Sequence, residues 1–172
     1  GGTITSTSGA RVGGLIGYTA GYNKQDDGPV DTCVTLKNCS VSGLTITANG
    51  SVGGLIGHAG ANPATYHTIT DCTVTDCTLK STKTSDDNYV GGLVGTANDG
   101  QVTIDADSSV SGNKLTQNSS AGEETSDKIL GRSVLNATGI VIVAGKVTAA
   151  GTDYGNITDR TADEVLIDCG NG

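Results

Sequence analysis

A chain of 172 residues with no Phe, Trp or Met cannot build its interior from large aromatics, so Val, Ile, Leu, Ala and Cys must fill it. Its 27 glycines follow no Gly-X-Y period, which excludes collagen. A net charge of −8 and a pI near 4.4, with no basic stripe or aromatic platform, argue against nucleic acid and anionic membranes as partners. No apolar run approaches the ~20 residues of a membrane span. The opening GGTITSTSGA is no signal peptide. Any export signal or anchor is expected in a longer parent chain.

In chain order, GGTIT at 1–5 comes first and matches GLTIT at 43–47, so the chain is expected to open in mid-repeat, as a fragment would. VGGLIG follows at 12–17, again at 52–57, and as VGGLVG at 90–95. The first valines are 40 and then 38 residues apart. Upstream of the later copies, NCSVSG at 38–43 and DCTVTD at 71–76 share a frame with DSSVSG at 107–112. LTI at 44–46, CTL at 77–79 and NKL at 113–115 come next. VTL at 34–36, CSV at 39–41 and LTI alternate apolar with polar, the pattern of short half-buried strands. Asn38, Gly43, Asp71 and Asp76 punctuate the joins, where tight corners need their backbone freedom. VGGLIG supplies the last side, with Val12 and Leu15 pointing inward and Gly13 and Gly14 allowing a turn and close approach of coils.

Three short strands and a glycine-rich side, repeated at a fixed period, describe a coil that buries its apolar side only by stacking on the next. The expected fold is all-β: a right-handed parallel β-helix of about four coils, handed by the general rule for parallel crossovers, with an irregular C-terminal cap. Length varies at two corners, one after VGGLIG (YTAGYNKQDDGPVDTC, HAGANPATYH, TANDGQ) and one before it (ANGS, KSTKTSDDNY), as loops on a solenoid permit.

GGLIG at 13–17 and 53–57, with GGLVG at 91–95, resembles the GLUG motif family. The resemblance covers residues 1 to about 115. That family recurs in bacterial cell-surface proteins and in non-catalytic regions of some secreted metallopeptidases. It implies an extracellular, adhesin-like repeat scaffold and brings no catalytic residue with it.

Residues 116–172 depart from the repeat and are read as a degenerate last coil plus a cap. Lys128-Ile129-Leu130-Gly131-Arg132 stands where a fourth VGGLIG belongs, IVIV at 140–143 is the most apolar run, and TADE at 161–164 has the form of a capping box before a short helical turn. The whole is expected to be one domain.

Residues with chemistry to offer are weighed against plainer roles. Cys39 and Cys72 share a register and are expected inward, near disulfide range but reduced, as small core hydrophobes. Cys77 is placed over Leu44, and Cys33 outward. Cys169 leaves the count odd, and no spacing suits zinc. His58 is placed in a surface ladder with Tyr18 and Thr96; His67 falls in register with Val34 and Val102 at a strand start. Asp71 aligns with Asn38 and Asp107 as a corner ladder. The acidic pairs in QDDG at 25–28, SDDN at 85–88 and EE at 123–124 lie on different corners and read as solvated loop charge rather than calcium ligands. Ser40, Ser42, Thr73, Thr75, Ser109 and Ser111 form an outward hydroxyl ladder, which strand alternation explains without ice binding. No catalytic, metal or cofactor residue is assigned, and the ligand-binding residues are unknown. The expected function is that of a non-catalytic structural or adhesive module, monomeric, contacting a host or environmental glycan or a surface protein through corners 18–33 and 80–89. A carbohydrate-active β-helix and a spacer without ligand are the rival readings.

Overall fold

The computed structural model describes residues 1–19, 22–24, 28–30, 32–60, 65–84, 89–98, 101–117, 123–125, 130–134, 140–143 and 146–150. The Cys33 side chain, the TADE segment and Cys169 lie outside what is described, as do 20–21, 25–27 and 31 of the first long corner and 85–88 of the second.

The first coil contains β1 (Gly2–Ser6), β2 (Val12–Gly13) and β3 (Ile16–Thr19), followed by an antiparallel pair in the long corner, β4 (Tyr22–Lys24) and β5 (Gly28–Val30). The next coil runs through β6 (Thr32–Lys37), β7 (Ser40–Ser42), β8 (Leu44–Ala48), β9 (Val52–Gly53) and β10 (Ile56–Ala59). Its successor repeats these as β11 (Thr65–Thr70), β12 (Thr73–Thr75), β13 (Thr78–Ser81), β14 (Val90–Gly91) and β15 (Val94–Asn98). After them come β16 (Gln101–Ile104), β17 (Ser109–Ser111), β18 (Lys114–Gln117), β19 (Glu123–Thr125), β20 (Leu130–Val134), β21 (Ile140–Val143) and β22 (Lys146–Ala150).

Equivalent strands of successive coils pair in parallel and build five ladders: β1-β8-β13-β18, β2-β9-β14, β3-β10-β15-β20, β6-β11-β16-β21 and β7-β12-β17. The fold is therefore a parallel β-helix. Each coil has five sides rather than the four read from the sequence. The difference lies in VGGLIG, which bends at Gly54-Leu55 and so splits into β9 and β10. Leu130 pairs with Val94, so the degenerate fourth motif keeps its place in the stack. IVIV continues the ladder of β16. β19 and β22 add antiparallel to β18 and β21, which occupies edges that would otherwise stay open.

The bend leaves room for glycine alone. A Cβ on Gly54 would meet the Gly92 carbonyl and lie 2.6 Å from Cγ1 of Val74 across the interior. The core is thin enough that no side chain fits there. Ile46, Val52, Leu55, Ile56, Ile69, Val74, Leu79, Leu93 and Val94 have no exposed surface. At the outermost coil the same positions are open: Ile4, Val12 and Ile16 are only partly buried, and Leu15 is 48% exposed. Leu15 is thus exposed where Leu55, at the same place in the motif, is buried, because no coil stacks on its outer side among the described residues.

The corners follow the predicted punctuation. Asn38 (φ 54°) and Asp71 (φ 51°) stack in the left-handed region at one corner; Gly43 (φ 60°), Asp76 (φ 54°) and Gly112 (φ 65°) do so at the next. Asx residues and glycine accept this conformation at least cost. No described helix is long and apolar enough to cross a membrane.

Candidate functional site

Three groups of polar side chains lie on this scaffold. The first is at the corner after β6, β11 and β16. Asp71, Asp105 and Asp107 each place a carboxylate oxygen within 4.8 Å of the others. Sequence alignment matched Asp71 with Asp107 and missed Asp105. Ile69 pairs with Ile104 on one side of this corner and Thr73 with Ser109 on the other, so the upper coil holds one extra residue. The extra residue brings Asp105 over the corner. Its Oδ2 accepts the Asp71 N–H at 3.0 Å, and its Oδ1 accepts the Ser108 N–H at 2.8 Å and the Ser108 hydroxyl at 2.5 Å. Desolvation pushes the Asp105 carboxyl up, but the hydrogen bonds from Ser108 and the Asp71 amide outweigh it and hold the group below the usual carboxylate range. Both oxygens are engaged in closing the corner, so the cluster has a structural explanation that requires no ion.

The second group is a column of small polar side chains turned into the interior at two corners. Cys72 N–H donates to Ser108 Oγ at 3.0 Å, and Cys77 N–H to Asn113 Oδ1 at 2.9 Å. Leu44 N–H donates to Cys77 Sγ at 3.5 Å, as the predicted stacking of these two residues requires. In each case a corner amide of one coil is satisfied by the side chain above it. Asn113, 1% exposed, completes the pattern by donating to the Val74 carbonyl at 2.9 Å. Cys39, Cys72 and Cys77 are free thiols; the latter two are buried and Cys39 is half-buried. Burial raises the Cys72 thiol above its ordinary pKa, against a hydrogen bond from the Cys39 amide.

The third group surrounds His58. The predicted register holds, since His58 pairs with Tyr18 and with Thr96. The predicted surface position does not. Tyr18 is 39% exposed, but His58 is 8% and Thr96 3% exposed. His58 sits on an inner coil between β3 and β15, where neighbours cover both sides. Tyr18 packs edge-on to it at 5.2 Å, and the Arg11 guanidinium lies 4.4 Å from the centroid of the Tyr18 ring. The imidazole pKa falls to about 4, through burial first and the Arg11 charge second. Its Nε2 has no hydrogen-bond partner among the described residues. His67, in register with Val34 and Val102 as expected, is buried at the third position of β11, and its Nε2 lies 2.6 Å from Thr19 Oγ1. Thr19 also accepts the Gly60 N–H at 3.0 Å.

The hydroxyl ladder faces outward, as predicted: Thr73 donates to Ser40 at 3.0 Å, and Ser40, Ser42, Ser109 and Ser111 are exposed. Of the two corners expected to carry contacts, the described parts are residues 18–19, the β4–β5 pair, residues 32–33, residues 80–84 and Tyr89; the acidic pairs at 25–28 and 85–88 fall largely outside them.

No curated protein and no solved structure matches the chain. Residues 48–82, from the end of β8 through the second VGGLIG to the end of β13, match the family model described as the GLUG motif. These residues therefore carry the GLUG motif.

Proposed function

We propose that this chain is a non-catalytic structural module of an exported bacterial surface protein, adhesive through its variable corners. The observation that carries this reading is where the chain tolerates variation. The five ladders keep their register from coil to coil, while length changes gather at the corners between β3 and β6, β10 and β11, and β13 and β14. A rigid stack with loops of free length at fixed places is a platform for contact. The extracellular setting rests on the GLUG motif, and the partner class, a glycan or a surface protein, on the platform geometry.

Asp71, Asp105 and Asp107 are the constellation that a carbohydrate-active reading would use. General acid–base work needs a carboxyl free to exchange a proton with substrate. Asp105 instead closes its own corner with both oxygens.

Binding of the purified chain to an array of glycans and host proteins, with calcium and with chelator, tests the proposal. Specific binding that is lost when 18–33 or 80–89 is shortened supports it. A blank array from folded protein favours a spacer. Glycan turnover that disappears in Asp71→Ala contradicts the non-catalytic reading.

A further inference from the structure

We infer that Cys39 and Cys72 form an inter-coil disulfide when the folded protein meets a disulfide oxidant. Cys39 immediately precedes β7 and Cys72 immediately precedes β12, and these strands pair in register through Ser40 and Thr73. The Thr73 N–H donates to the Cys39 carbonyl at 2.9 Å, which fixes the two corners one above the other. Neighbouring parallel strands lie about 4.8 Å apart, inside the Cα separation a disulfide spans. The Cys72 thiol lies between the Thr70 carbonyl of its own coil at 3.1 Å and the Leu36 carbonyl of the lower coil at 3.5 Å. The Cys39 thiol sits at the equivalent place one coil below, where it donates to the Lys37 carbonyl at 3.5 Å. Cys77 has no such partner, because the residues stacked on it are Leu44 and Asn113.

The two thiols differ in access, which orders the chemistry. β7 is the edge strand of its ladder, so Cys39 is half-buried, while Cys72 is covered. The Cys39 thiolate attacks one sulfur of the oxidant, whose S–S bond breaks and whose other sulfur leaves as a thiol. The Cys72 thiolate then attacks the Cys39 sulfur of this mixed disulfide and releases the second thiol. Two electrons pass from the cysteine pair to the oxidant, and the two cysteine protons end on the released thiols.

The test is incubation of the folded chain with oxidised glutathione, followed by alkylation of remaining thiols in denaturant. Cleavage after Lys and Arg combined with cleavage before Asp separates Cys33, Cys39, Cys72 and Cys77 onto four fragments. The expected result is a fragment pair joined through Cys39 and Cys72, a fall of two in reactive thiols, and a rise in the melting temperature that reductant reverses. Cys77→Ser should leave the link intact. Cys39→Ser and Cys72→Ser should each abolish it and remain folded, since Ser108 already occupies the equivalent corner. Glutathione left attached to Cys39, two thiols that stay alkylatable, or a link from Cys72 to any other cysteine would each overturn the inference.

Discussion

Asp105 accepts the backbone N–H of Asp71, one coil below, at 3.0 Å. Elsewhere at this corner the stack closes through the main chain: the Asn38 N–H donates to the Thr70 carbonyl, also at 3.0 Å. Where the upper coil gains a residue, a carboxylate takes over the carbonyl's task.

Replacing Asp105 by Ala should therefore destabilise the chain by about 1 kcal/mol, a value kept low because the carboxylate is partly solvated. The effect should depend on pH. A carboxyl whose folded pKa lies below its unfolded value stabilises fully above the ordinary carboxylate range. That contribution is lost as pH falls through the folded value. Urea melts of the two proteins at neutral pH and in strong acid should differ in the first condition and converge in the second. An equal gap at both would refute the role.

His58 predicts a second pH dependence at higher pH. Its folded pKa of about 4 lies below the ordinary imidazole value, so the unfolded chain binds the extra proton first. Stability from this group is complete above about pH 6.5 and declines as pH falls toward 4, by a total of roughly 2 kcal/mol once solvent access is allowed for. His58→Thr, which copies Thr96 in the same ladder, should flatten the stability profile between pH 6.5 and 4. A slope unchanged in that variant would assign it elsewhere.

Leu15 and Leu55 hold the same place in identical hexapeptides but should respond differently. Leu55→Ala empties a fully buried position and should cost about 2 to 5 kcal/mol. Leu15→Ala, at 48% exposure, should cost less than about 1 kcal/mol. Denaturant midpoints measure both, and equal losses would contradict the difference in burial between the two leucines.

Gly54→Ala should cost about 1 to 3 kcal/mol or more by overpacking, because the added methyl meets Val74 and the Gly92 backbone. Val74→Ala should recover part of that loss in a double-mutant cycle. Additive losses would show that the Val74 contact is not the cause.

Much of this architecture is legible in the sequence because repetition fixes register. Matching NCSVSG to DCTVTD and DSSVSG aligns β7, β12 and β17 without coordinates. The alternation around Val41, Val74 and Val110 then assigns the inward face, and all three are buried. Burial along a ladder is less legible, since it depends on which coil a residue occupies. Tyr18 and His58 share a register but differ in cover, as do Leu15 and Leu55. Alignment from the downstream strand alone hides Asp105; the registers of His67 with Val102 and of Asp71 with Asp107 already differ by one residue, and the strand pairs place that insertion at this corner. The alignment of Cys39, Cys72 and Ser108 was visible in sequence. The hydrogen bonds of Cys72 and Ser108 to corner amides are not, since apolar packing explains a buried cysteine equally well.

Residue-resolved amide hydrogen exchange tests the stacked β-helix most directly. Slow exchange is expected in β8, β10, β11 and β13, each flanked by a strand on both sides. Protection should fall at β1, which has a single neighbour, and at residues 82–84 beside the long corner. Rapid exchange through 44–59 and 65–81 in folded protein, or protection as high at β1 as at β8, would contradict it.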